Sequence, residues 1–137
     1  MDRLWTRDYI MAFIANFLMS FAFYLLMPTL PLYLTEHLQA SKVAAGVVMS
    51  IYVVSALLMR PLSGFLIDSL PRKPLYIVSY ALFVALSVAY LGASTIVAFF
   101  FVRMLHGLIW SPITTSANTL AIDIIPSSRR GEGIGFF

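Results

Sequence analysis

The sequence predicts an all-α integral membrane protein. Its 137 residues are 61% hydrophobic and only 11% charged, with a mean hydropathy of +0.90, which is far from a soluble domain of this size. Four apolar runs, near Tyr9–Leu34, Val43–Ile67, Pro74–Leu91 and Ile96–Ile122, each meet the roughly 20 residues needed to cross a bilayer core. The loops between them are short and hold much of the charge. A fifth helix is expected to start near residue 131.

These observations exclude several classes. The net charge of +3 would suit nucleic acid, but the basic residues sit at the ends of the runs and form no patch, so membrane orientation explains them and no nucleic-acid partner is expected. The chain has no cysteine, hence no disulfide framework and no thiolate metal site. No cofactor or metal is expected. The first run is too long for a signal-peptide core, Asp2 and Asp8 dilute the basic stretch before it, and no small-residue cleavage site follows, so it is expected to remain as a span.

Helix 1 carries Asn16, Ser20, Phe23 and Met27 at helical spacing, a mildly polar stripe. Pro28 and Pro31 interrupt its far end, where a packing bend is expected. Helix 2 leads into Gly64-Phe-Leu-Ile-Asp68-Ser-Leu-Pro71-Arg72-Lys73. Asp68 closes one helix and Arg72 and Lys73 open the next, each opposing the local helix dipole. Asp123 and Arg130 repeat the arrangement further on. Such charges need partners elsewhere, and the expected pairs are Asp68 with Arg130, Asp123 with Arg72, or Asp68 with a helix end outside this chain. Helix 3 has Ala81, Ala85 and Ala89, a small-residue ridge assigned to packing.

Helix 4 differs from the others. Arg103, His106, Trp110, Thr114 and Asn118 fall in one sector at 3.6 residues per turn. A polar stripe on a membrane helix faces protein, water or ligand. Arg103 reads as the one permanently charged residue deep inside a span. The reading that it faces a cavity is preferred to one in which it ties helix 4 to neighbouring carbonyls. Arg3, Arg7, Arg72, Lys73, Arg129 and Arg130 all fall on one side, which the positive-inside rule makes cytoplasmic, with the N-terminus.

Three segments resemble motifs of the major facilitator superfamily. Gly64-x-Leu66-x-Asp68-x-x-Pro71-Arg72-Lys73 resembles its loop between helices 2 and 3. Arg103-x-x-His106-Gly107 resembles its R-x-x-Q-G motif on helix 4. Asp123-x-x-Pro126-x-x-x-Arg130-Gly131 resembles the element joining helices 4 and 5. Ser69, Pro71 and His106 depart from the usual Arg, Gly and Gln. The run from Thr114 to Gly135 looks most like bacterial drug-efflux members.

The resemblance implies the N-terminal part of the first six-helix bundle in a twelve-helix fold. Any antiporter signature, which the family places on helix 5, would then lie beyond Phe137, ahead of a missing C-terminal half. It implies a secondary active transporter, with helices 1 and 4 lining the cavity and the charged loops forming a cytoplasmic gate. It also implies a small-molecule substrate, proton-coupled export, a bacterial inner-membrane location and no enzymatic activity. Two alternatives remain open: a self-sufficient four-helix dimeric transporter, and a non-transporting receptor or scaffold.

Overall fold

The computed structural model describes residues 3–137, so Asp2 lies outside it. The helices are α1 (Arg7–Glu36), α2 (Lys42–Ser69), α3 (Arg72–Ala89), α4 (Ile96–Ile124) and α5 (Arg130–Phe136), with single 3-10 turns at Tyr90–Gly92 and Ser127–Arg129. The first four are long and apolar enough to cross a membrane.

Helix ends follow from caps. Thr6, Ser41 and Thr95 each accept a hydrogen bond from the backbone N–H three residues on, which satisfies a donor that the helix leaves orphaned. The Thr6 cap starts α1 at Arg7, two residues ahead of its expected start. Gln39, at φ 54°, makes the left-handed turn between α1 and α2. Leu70 is extended ahead of Pro71, as the residue before proline prefers, and α2 stops there.

The central helix is α4. It packs along α2 and α3 and also touches α1 and α5. It buries ten residues, against five for α1, whose outward face is apolar. The core has three levels. Leu30, Leu34, Val48, Tyr90 and Phe99 pack at the end opposite the basic loops. Met19, Phe23, Tyr52, Tyr76, Phe83 and Ile113 fill the middle. Leu4, Tyr9, Ala121 and Ile125 close the basic end. There the Tyr9 hydroxyl donates to the Gly133 carbonyl at 2.7 Å, holding α5 against α1. A Cβ on Gly133 would come within 3 Å of Leu4 and Ile125 side-chain carbons, so glycine is what lets α5 sit so close. The ridge of Ala81, Ala85 and Ala89 is exposed, and no described helix packs on it.

Candidate functional site

The site is organised by one crossing. At Gly107, α4 lies against the α2 backbone so closely that a Cβ would collide with the Tyr52 carbonyl oxygen and press on the Ser55 Cβ. Small residues let membrane helices approach in this way. Ser63 and Ser111, whose hydroxyls lie 2.9 Å apart, continue the seam toward the basic end.

On the far side of the crossing the stripe of α4 is sealed. Arg103 is 1% exposed and His106 is fully buried. The guanidinium carbon of Arg103 stands 4.3 Å from the centre of the Tyr52 ring. A desolvated cation over an aromatic face is worth about 2 kcal/mol. His106 Nδ1 is 3.1 Å from the Tyr90 hydroxyl, and its ring packs 4.5 Å from Phe83 and edge-on to Tyr52. Arg103 Nε and Nη1, His106 Nε2 and the Tyr52 hydroxyl have no hydrogen-bond partner among the described residues. The physical reason for the seal is the Gly107 contact, which draws Tyr52 over Arg103 within one helical turn.

Toward the basic end the same stripe opens. Trp110 and Thr114 are partly exposed and Asn118 is exposed. Trp110 stacks on Phe23 of α1 at 4.3 Å between ring centres, with Tyr52 at 6.1 Å. Thr114 donates back to the Trp110 carbonyl at 2.8 Å. Trp110, Ser111 and Thr114 form one wall of a recess of about 180 Å³ whose other wall is Tyr52, Val53, Ala56, Leu57 and Arg60 of α2. Of the α1 stripe, Phe23 is buried in the aromatic stack, Ser20 is half-buried and Met27 is exposed. Asn16 donates to the carbonyl of Phe137 at 2.6 Å.

Arg60 corrects the sequence reading. Arg103 is not the one permanent charge inside a span. Arg60 lies nine residues from the end of α2, or about 14 Å, and about 7 Å from the helix midpoint. A charge near mid-membrane costs roughly 2.5–3.5 kcal/mol on insertion scales. Its signal is the one that marks Arg103, an arginine within an apolar run, but it stands four residues before Gly64, where the loop motif dominates. Ser63 and Ser111 carried no such signal.

At the basic end, Arg72 Nη1 lies 2.7 and 2.6 Å from the two carboxylate oxygens of Asp123. The first residue of α3 and the penultimate residue of α4 each oppose their own helix dipole, and the pair cancels both. Asp68 and Arg130 are exposed, and neither makes an ion pair among the described residues. Arg129 pairs with Glu132 at 2.6 Å. Lys73 lines a groove of about 380 Å³ with Asp8, Tyr76 and Leu120. A Cβ on Gly64 or Gly131 would meet nothing within 4 Å, so no close contact in this structure requires glycine there. No cluster of potential metal ligands occurs among the described residues.

Comparison with known proteins gives a consistent result. The family model of the Major Facilitator Superfamily matches residues 12–137. Multidrug resistance protein MdtG of Escherichia coli strain K12 / DH10B is 33% identical over 137 residues, covering 96% of this chain and 33% of the relative. MdtG of Escherichia coli strain SE11 and of Escherichia coli O8 strain IAI1 match to the same extent. The chain thus spans about a third of the length of the curated relatives it matches. No solved structure matches.

Proposed function

Because the chain belongs to the major facilitator superfamily, we propose that it forms part of a secondary active transporter that exports a small organic solute in exchange for protons. The observation that carries this reading is the recess between α2 and α4, set near mid-span and walled by aromatic, apolar and hydroxyl side chains with one cation. Transporters of this architecture bind their solutes near the bilayer midplane and expose that site alternately to each side. Trp110 and Thr114 of the α4 stripe belong to that wall, and Phe23 of α1 backs Trp110. The relatives named as multidrug resistance proteins support export of organic compounds. Arg103 and His106 hold the wall from behind.

The N-terminus and the loops at Arg72 and Arg130 face the cytoplasm of a bacterial inner membrane, on the strength of the Lys/Arg bias. The Arg72–Asp123 pair and the exposed Asp68 belong to the cytoplasmic gate. All described acids, Asp8, Glu36, Asp68, Asp123 and Glu132, sit at or near helix ends, so a mid-membrane carboxylate carrying the proton comes from outside these residues.

The test is export by the full-length product of the gene in a bacterium stripped of its own drug exporters. Cells expressing it accumulate less of a fluorescent dye panel than empty-vector cells, and a protonophore removes the difference. Accumulation equal to the empty vector for every dye, with the protein verified in the membrane, overturns the reading in favour of a receptor or scaffold.

A further inference from the structure

The recess between α2 and α4 is lined by one cation and, among the described residues, no anion. Arg60 lines it together with Tyr52, Trp110, Ser111 and Thr114. Arg60 is exposed and makes no ion pair among the described residues. No carboxylate among the described residues lies within the middle of any span. A guanidinium cannot shed its charge at accessible pH and presents up to five donors in a planar fork. The fork matches a carboxylate, sulfonate or phosphonate.

We propose that Arg60 binds the anionic group of the exported solute, and that the substrate class is organic anions with an aromatic or apolar body. This rests on the transport reading above and deepens it. The geometry sets the division of labour. At about 180 Å³ the recess is smaller than the roughly 300–1,000 Å³ that holds a whole drug-sized ligand, so it seats one head group or ring. The Trp110 indole, fixed against Phe23, and the Tyr52 ring offer an apolar shelf beside the charge. The Ser111 and Thr114 hydroxyls border the same space; with its proton given to the Trp110 carbonyl, Thr114 can accept from the solute's remaining polar atoms.

The charge itself sets the preference. A cationic solute in this recess meets a fixed positive charge with no counter-ion among the described residues, and in a low dielectric that repulsion discriminates strongly. Arg103 does not compete for the anion, because Tyr52 covers it and it is 1% exposed. A lipid head group is the wrong depth. Arg60 stands about 7 Å from the midpoint of a helix about 42 Å long, well inside the hydrocarbon region.

The test uses two probes of equal size and opposite charge, 1-naphthalenesulfonate and 1-naphthylmethylammonium. They are titrated by calorimetry into the full-length product in nanodiscs of neutral phosphatidylcholine. The wild type binds the sulfonate at least about tenfold more tightly, the scale of one charge-assisted contact. Arg60→Gln abolishes that preference by weakening the sulfonate, and Arg60→Lys keeps part of it. Equal or tighter binding of the ammonium overturns the proposal, as does a preference that survives Arg60→Gln. If Arg60→Gln does not fold, a folded Arg60→Lys decides. A preference reduced from wild type supports the proposal, and one left undiminished overturns it. Dye export that is proton-driven but selective for cations sinks the anion assignment and leaves the transport reading standing. No binding of either probe together with no dye export sinks both.

Discussion

Arg103 and Arg60 are both arginines inside apolar spans, within a few turns of each other across the α2–α4 seam, yet their surroundings are opposite. Arg103 lies under the Tyr52 ring and is closed off by Tyr90 and His106. Arg60 opens onto a recess and has no described counter-ion. Position in a span shows that a charge needs a reason; it does not say which reason. The deciding feature is the neighbour on the facing helix. Where Gly107 brings the backbones together, the charge is absorbed into packing. Where the facing side chains leave a recess beyond that contact, the charge is available to a ligand.

The largest effect that can break this contrast is at the crossing. Gly107→Ala places a methyl against the Tyr52 carbonyl, and relief requires α2 and α4 to separate. Overpacking of this kind costs about 1–3 kcal/mol, and more where backbone must move. Thermal unfolding in detergent should show a clear loss of stability. An unchanged unfolding temperature contradicts the crossing as described.

A smaller effect sharpens the contrast. Lysine keeps the charge and loses the flat, stackable fork. Arg103→Lys should cost about 1–2 kcal/mol through the lost stacking on Tyr52. Arg60→Lys, at an open site, should stay within about 0.5 kcal/mol of wild type. Parallel unfolding curves for the two variants check this, and equal losses erase the distinction. The smallest effect belongs to a third arginine. Arg72 and Asp123 have side chains 44% and 43% exposed, so a double-mutant cycle should give a coupling of about 0–1 kcal/mol that shrinks in high salt. A coupling well above that range would mean that the pair is shielded from solvent in the membrane-embedded protein.

Much of the architecture is legible in the residues because bilayer thickness converts directly into run length. Apolar runs therefore locate α1 to α4. Their last residues depend on caps such as Thr6 and Ser41, which only local geometry identifies. The mismatch of Asp68, Arg72 and Asp123 with their helix dipoles is also readable. The choice of Asp123 over Asp68 as partner of Arg72 depends on which helix ends are neighbours, a non-local fact. The same limit explains the α4 stripe. Periodicity places Arg103, His106, Trp110, Thr114 and Asn118 in one sector, but that sector meets Tyr52 above Gly107 and open space below it. Nothing in α4 alone carries that division. Arg60 was readable by the rule applied to Arg103, since an arginine within an apolar run needs no partner to be noticed.

The contact at Gly107 also has a mechanical meaning. Two stiff rods that touch at a point without intervening side chains have a fulcrum there, and proline on the basic side of it in both rods, Pro61 in α2 and Pro112 in α4, removes a backbone hydrogen bond from each arm. Arg60 sits five residues beyond Ser55, a lever arm of about 8 Å. A rocking of about 10° about that point carries the guanidinium through roughly 1–2 Å, the range over which helices slide at interfaces in switching proteins. On the other side of the contact the same rotation would shear Arg103 across the Tyr52 ring, so that packing resists it.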